Sequence, residues 1–274
     1  MLLAWAAVVV TLLATAGCDR SAVGSGTPRP DHIVVVIEED QSYGAVIGSP
    51  EAPYINQLAR QGASLTEYYA LTHPSQPNYL ALFAGSYLGV LDDSCPHALT
   101  ARNLGSQLQQ AHLSFAGYAQ SMPRVGFTGC SSGPYVRRHN PWVNFDNLPA
   151  SANRPFTDFP RDFEDLPTVS FVVPDLEHDM HDGSVREGDT WLRDNLGAYA
   201  DWATTHNSLL VVTWDEDDGK GPNHIPTVLV GEHVRPGDND QPNNQFGLLR
   251  MLLDAYDLKP LDHSAEAEPV DVWG

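Results

Sequence analysis

The chain has 274 residues, 42% of them hydrophobic and 18% charged, enough apolar side chain to bury roughly 70% of the unfolded surface in one core. That composition excludes the collagenous, coiled-coil and disordered classes. With 15 Lys plus Arg against 35 Asp plus Glu the formal charge is -20, which repels a nucleic-acid backbone at long range and excludes sequence-independent binding to it.

Residues 2–17 carry no charged side chain, and the run is shorter than the about 20 residues a helix needs to span a bilayer. Residues 1–18 therefore read as a signal peptide. It ends in Leu13-Ala14-Thr15-Ala16-Gly17-Cys18, which resembles the lipobox of bacterial lipoproteins, whose cysteine becomes an acylated N-terminus. Thr15 stands where Leu is usual and no basic residue follows Met1; cleavage to a free secreted form or a retained anchor helix are the alternatives to lipidation of Cys18. The expected location is outside the cytoplasm, as a cell-membrane lipoprotein or a secreted protein. Residues 19–30, rich in Gly, Ser and Pro, read as a flexible linker, and 31–274 as a single domain.

The first element is the β-branched run at 33–37, which leads straight into Glu38-Glu39-Asp40. Helical spacing follows at 52–61 and again at 76–84. The second of these helices is introduced by Thr72-His73-Pro74-Ser75-Gln76-Pro77, where Ser75 reads as the N-cap and Pro77 sits in the first turn. Next come a helix at 100–110 and a weaker strand at 114–119. A strand at 169–173, a helix at 186–205 and a strand at 209–213 complete the middle of the chain. The last strand runs into Asp215-Glu216-Asp217-Asp218, followed by a weaker strand at 227–230 and a helix at 244–256. Unbroken apolar strands suit a mostly parallel sheet covered on both faces, and the alternation of strand and helix predicts an α/β sandwich. In such folds active groups gather at the carboxyl ends of strands.

Cys95 and Cys130 form an even pair once Cys18 is set aside for acylation, and an oxidising compartment would join them. Two buried free thiols are the alternative.

One acidic run reads as a solvated turn; two such runs at two strand ends point to a divalent cation held by oxygen ligands. A serine at a helix N-terminus faces N–H groups that favour an alkoxide and an incoming phosphate. Together these parts make a metal-activated serine nucleophile. A single all-oxygen cage implies one metal ion, with Mg, Ca or Mn fitting better than Zn.

Several longer blocks carry a family signature: Val34-Val35-Val36-Ile37-Glu38-Glu39-Asp40-Gln41-Ser42-Tyr43, Ala52-Pro53-Tyr54-Ile55-Asn56, HPSQPNYLALFAG from His73, Arg138-His139-Asn140-Pro141-Trp142, Asp179-Met180-His181-Asp182, and Thr213 to Gly219 followed by Asn223-His224-Ile225-Pro226. They resemble the bacterial acid phosphatase and phospholipase C family of phosphoesterases, within the alkaline phosphatase superfamily, from His32 to about Gly237. The resemblance implies a three-layer, alkaline-phosphatase-like sandwich. It puts one metal-binding pair at Glu39 and Asp40, the phosphorylated nucleophile and metal ligand at Ser75, and a second pair at Asp215 and Glu216. Asp40 stands where Asn is usual, and a carboxylate can only accept where an amide could donate to the phosphoryl group. His139, His181 and His224 fall in blocks whose histidines line the family's phosphate pocket, and one of them would protonate the leaving alcohol. His73 is a candidate brace for the nucleophile turn, and Arg137 and Arg138 are candidates for offsetting phosphate charge.

The expected function is metal-dependent hydrolysis of phosphate monoesters through a phosphoserine. The expected substrates are phosphorylated small molecules or lipid headgroups, phosphoinositides included, with membrane association through the lipid anchor only. One alternative is a phospholipase C-type phosphodiesterase, a branch that commonly carries an added C-terminal domain where this chain has what reads as an acidic tail at 262–274. A sulfatase is another, because Ser75-Gln76-Pro77 opens its modification motif, although Tyr79 stands where that motif wants Arg. A surface lipoprotein that binds a metal or an anion without turnover is the non-enzymatic alternative.

Overall fold

The computed structural model describes residues 27–274, so the signal peptide, Cys18 and most of the linker lie outside the described residues. The strands are β1 (His32–Glu38), β2 (Ala63–Leu65), β3 (Phe115–Ala119), β4 (Ser131–Ser132), β5 (Tyr135–Val136), β6 (Asn153–Pro155), β7 (Val169–Val173), β8 (Ser208–Trp214), β9 (Thr227–Gly231) and β10 (Gly237–Asn239). The helices are α1 (Tyr43–Val46), α2 (Pro53–Gln61), α3 (Ser75–Ala84), α4 (Leu104–Gln110), α5 (Val185–Ala203) and α6 (Gln245–Asp254). All strands except the β4–β5 hairpin join one sheet in the order β10-β2-β9-β8-β1-β7-β3-β6. Its β8-β1-β7-β3-β6 half is parallel throughout, whereas β9 runs antiparallel to β8 and β2 antiparallel to β9.

Successive side chains on a strand point to opposite faces. Every residue of β7 and β8, and all of β1 except His32, is buried, so both faces of the sheet are covered. Helix α2 packs on α5, and α3 packs on α4 and α6, which gives the three-layer α/β sandwich its two outer layers. At the centre of the core, Phe83 of α3 meets Phe115, Phe145 and Phe171 with ring centroids 5.2–5.6 Å apart. Each such ring contributes about 2–3 kcal/mol through burial.

Helix α3 is buried along its whole length, so it carries no solvent-exposed face. It stops at Gly85, whose φ of 75° and close approach to the Leu261 carbonyl leave no room for a Cβ. Helix α2 starts at Pro53, and the Asp189 carboxylate of α5 accepts from the backbone N–H groups of Tyr54 and Ile55 at 3.2 and 2.8 Å.

Three expectations change. Ser75 is not the N-cap of α3: Pro74 holds that position, Ser75 is the first helical residue, and its hydroxyl makes no capping bond. The segment 262–274 is not a solvated tail, because Val270 and Val272 are buried and Arg235 donates its N–H to the Val272 carbonyl at 2.8 Å. Its apolar residues are spaced among the acids and find the core. Pro30, read as linker, is buried, with its carbonyl accepting from the Tyr256 hydroxyl at 3.0 Å.

Candidate active site

Strands β1 and β8 are parallel neighbours and end level, with Glu38 opposite Trp214. The acidic runs that follow them are therefore held together by the sheet. Glu39, Asp40 and Asp215 each offer a carboxylate oxygen within 4.8 Å of the other two. The Asp40 N–H lies 3.4 Å from Asp215 Oδ1, which also accepts from the Glu216 N–H at 2.6 Å. From α3, the Ser75 hydroxyl donates to Glu39 Oε2 at 3.1 Å and also lies against the Asp215 carboxylate. The nucleophile candidate and carboxylates from both strand ends thus meet at one point.

A second group overlaps the first. Glu39, His139 and Asp179 bring three ligand atoms within 4.8 Å of one another, all fully buried. His139 Nδ1 is 3.2 Å from Asp179 Oδ2, and its Nε2 faces Glu39 Oε1 at 3.3 Å without making a hydrogen bond. The Tyr79 hydroxyl donates to that same Oε1.

The electrostatics follow from the crowding. Burial first, then Asp215, Asp179 and Asp40, push the Glu39 carboxyl well above the usual carboxylate range. Burial and Asp40 do the same to Asp215. Glu216 is pushed up to about 9 by burial and by Asp215, and Asp179 to about 7 mainly by burial. Burial, helped by Arg138 and His181, holds His139 well below the ordinary imidazole value. Asp215 Oδ2 is buried with no hydrogen-bond partner. With Nδ1 of a neutral His139 donating to Asp179, the Nε2 lone pair faces an oxygen. An orphaned carboxylate oxygen, a buried lone pair and several carboxylates without a nearby cationic partner fit a divalent cation.

The phosphoesterase family matches residues 49–259. The chain belongs to that family. This phosphoesterase is 49% identical over 254 residues to the phosphatidylinositol-3-phosphatase of Mycobacterium tuberculosis, across 91% of this chain and 85% of that one. It is 32% identical over 217 residues to the phosphate-repressible acid phosphatase of Penicillium chrysogenum, across 72% of this chain and 53% of the fungal one, so it spans about half of that relative's length. A solved structure of a protein in the alkaline phosphatase superfamily from Vibrio parahaemolyticus matches with a TM-score of 0.56 at 14% identity, covering 83% of this chain and 66% of that one; at such identity the likeness shows the fold. The protein is a hydrolase of phosphoric ester bonds.

The remaining candidates of this phosphoesterase divide into those at the cleft and those away from it. His181 and Asp40 line the cleft, together with His73 and Glu216. His181 Nδ1 is 2.7 Å from Asp182 Oδ1, and its Nε2 is 3.2 Å from Arg138 Nη2 and 3.7 Å from Asp40 Oδ2. Glu216 does not join the three-carboxylate group: its Oε2 accepts from Asn78 Nδ2 at 3.1 Å and faces His73 Nδ1 at 3.3 Å. His73 also faces Asp217 through Nε2 at 3.3 Å, so it braces the acidic loop after β8.

Two histidines sit elsewhere than expected. His139 is fully buried behind Glu39 and is absent from the cleft wall, because the short helical turn that carries it packs on α3. His224 lies between the rings of Tyr43 and Tyr69, with its Nε2 3.0 Å from the Thr66 carbonyl and no described contact to the carboxylate group. Its neighbour Asn223 has φ 64°, and the turn points the His224 ring away. Arg137 is spent on Asn144, Thr128, His97 and Val143 at 2.7–3.1 Å, leaving Arg138 as the cation beside the cleft. Sequence reading missed Asp179 as a metal-type ligand and Tyr79 as a partner of Glu39. The four-residue spacing of Ser75 and Tyr79 on one helix was the available signal. The expected Cys95–Cys130 disulfide is present.

Proposed function

We propose that the protein is a divalent-metal-dependent phosphomonoesterase that works through a phosphoserine at Ser75 and acts on phosphorylated inositol headgroups among its substrates. The observation that carries this reading is the 3.1 Å hydrogen bond from the Ser75 hydroxyl to Glu39 at the meeting point of the two acidic strand ends. Glu39, Asp40, Asp215 and the Ser75 hydroxyl would hold the metal, with His139 and Asp179 behind them. When bound, such an ion favours the ionised serine and offsets charge on the phosphoryl oxygens.

The chain's own groups supply the rest. Glu39 Oε2, which accepts the Ser75 hydrogen bond, takes the Ser75 proton as a serine oxygen lone pair attacks phosphorus in line. The P–O bond to the alcohol breaks as the Ser75–P bond forms, and the leaving oxygen takes a proton from the doubly protonated His181. Water then attacks the phosphoserine and gives a proton to the now singly protonated His181, the Ser75–P bond breaks, Ser75 takes its proton back from Glu39, and inorganic phosphate leaves. The arrangement in which His181 Nδ1 donates to Asp182 and Nε2 accepts from Arg138 is the one ready to receive that proton. Arg138 beside the cleft favours the dianion of a monoester over a diester. The inositol phosphate reading is supported by the 49% identity to a phosphatidylinositol-3-phosphatase.

The same reading places the protein outside the cytoplasm, where a disulfide such as Cys95–Cys130 persists and where an acylated Cys18 would tether the domain near lipid headgroups. No helix among the described residues is long and apolar enough to cross a membrane. The test is phosphate release from an aryl phosphate, its bis-aryl diester and a short-chain phosphatidylinositol phosphate, each with and without chelator. Monoesters should turn over, stop with chelator and recover with Mg or Mn, while the diester lags. Chelator-resistant turnover rejects the metal, equal diester rates reject the monoester preference, and metal binding with no phosphate release supports a binding protein instead.

A further inference from the structure

We propose that Tyr79 is a positioning residue that locks the Glu39 carboxylate in the orientation required by Ser75 and the metal. The inference rests on the reading above that Glu39 is a metal ligand. Ser75 and Tyr79 are four residues apart on α3, so their side chains leave the same face of the helix. Each hydroxyl takes a different oxygen of one carboxylate: Ser75 donates to Oε2 at 3.1 Å and Tyr79 to Oε1. A carboxylate rotates readily about its last bond, and two donors rising from one rigid helix remove that freedom.

Buried tyrosines elsewhere in the chain show what a structural tyrosine does here. The hydroxyls of Tyr199 and Tyr256 donate to backbone carbonyls, whereas that of Tyr79 is directed at the most crowded carboxylate. Its ring lies parallel to His139 with centroids 5.4 Å apart and 7° between planes. His139 Nδ1 is in turn on Asp179 at 3.2 Å. The ring thus fixes the imidazole on one side of Glu39 while the hydroxyl fixes the carboxylate itself. Partners of this kind, one step removed from a metal, are worth about 10–100-fold in affinity or rate.

The test compares Tyr79→Phe with the wild type, since Phe keeps the ring stack and deletes only the donor. Mn2+ binding to the metal-stripped protein is followed by calorimetry, aryl phosphate turnover at saturating Mn2+ gives kcat and KM, and Tm reports the fold. The expected result is weaker Mn2+ binding and lower kcat, each by about 10–100-fold, with KM and Tm little changed. In a cycle with Glu39→Gln, the Tyr79→Phe change should add little further loss of Mn2+ binding. Wild-type Mn2+ binding and kcat in Tyr79→Phe overturn the inference alone, as does an equal loss when Glu39→Gln is already present, or activity lost only in step with Tm or by unfolding. If the wild type itself binds no Mn2+, the metal reading falls first and takes this inference with it.

Discussion

Glu38 and Trp214 are the last register partners of β1 and β8, and the Asp215 N–H donates to the Glu38 carbonyl at 3.0 Å. Parallel strands lie about 4.8 Å apart, so Glu39 and Asp215, one step further along, leave the sheet side by side. Backbone pairing therefore forces carboxylates together that would otherwise repel. Burial and this crowding push the Glu39 and Asp215 carboxyls well above the usual carboxylate range, and burial likewise pushes Asp179 up to about 7 and Glu216 up to about 9. A raised folded-state value contributes stability below the ordinary carboxylate range, and that contribution is lost as pH rises through the folded value. The metal-free protein should lose Tm between about pH 5 and about pH 9, and saturating Mn2+ should flatten the decline, because the cation replaces the protons. Thermal scans across that range check it; a metal-free Tm that is flat or rises with pH contradicts it.

Ser75 is buried and has no capping duty, so removing its hydroxyl leaves α3 intact. Ser75→Ala should fold with an unchanged Tm and lose at least about a thousand-fold in kcat, the scale on which nucleophile deletions act. Acid quench during turnover should trap phosphate on the wild-type protein and none on the variant. Retained turnover in Ser75→Ala removes the phosphoserine from the reaction.

Two histidines line the cleft: His73 has both ring nitrogens facing carboxylates of the loop after β8, whereas His181 rests its Nδ1 on Asp182 at 2.7 Å and is the proposed acid. His181→Ala should lower kcat by about 10²–10⁴-fold for an alkyl phosphate. The loss should be much smaller for a nitrophenyl phosphate, whose leaving group needs no proton. Equal losses on the two esters would make His181 a binding residue and move the proton elsewhere.

The long parallel strands and the main helices were legible because their apolar, β-branched or periodic runs are local signals; the span 169–173 coincides with β7 and 114–119 contains all of β3. The strands β2, β6 and β10 were not, since three residues carry no periodicity and their pairing is decided by distant chain. At the site, Glu39, Asp215 and Ser75 were legible as strand-end acids and a helix-start serine. The part played by Asp179 and Tyr79 was not, because each acts through a neighbour 40 to 140 residues away. His224 was misplaced for a similar reason: the turn at Asn223, with φ 64°, sets its direction, and no motif prints a dihedral angle.

Asp40, which the family resemblance places where Asn is usual, lies half-buried at the cleft, 3.7 Å from His181 Nε2. Asp40→Asn removes one negative charge from the carboxylate group and adds a donor toward the phosphoryl site. Mn2+ binding should weaken by about tenfold as ligand charge falls, and inorganic phosphate should inhibit more strongly. Calorimetry and inhibition constants measure both; tighter metal binding in the variant would show that Asp40 acts only by repulsion.

The Cys95–Cys130 bridge, with a sequence separation of 35, reaches the nucleophile through a clamp on α3. Gln76 Nε2 donates to the carbonyls of Asp92 and Ser94 at 2.9 Å each, and the Gln76 N–H donates to Asp93 Oδ1 at 3.0 Å. Asp93 thereby serves the helix start that Ser75 does not cap, and Arg138 lies 3.8 Å from its other oxygen. Loop closure on this scale stabilises by about 4 kcal/mol in the chain-entropy model. The Cys95→Ala, Cys130→Ala double variant should therefore lose on the order of 10 °C in Tm. It should also lose kcat at temperatures where it remains folded, because the segment 92–94 is freed from Gln76 and Ser75 shifts with it. Asp93→Asn should reproduce part of the kcat loss with a smaller Tm change. A double variant that loses Tm while keeping wild-type kcat would confine the disulfide to stability and separate it from the active site.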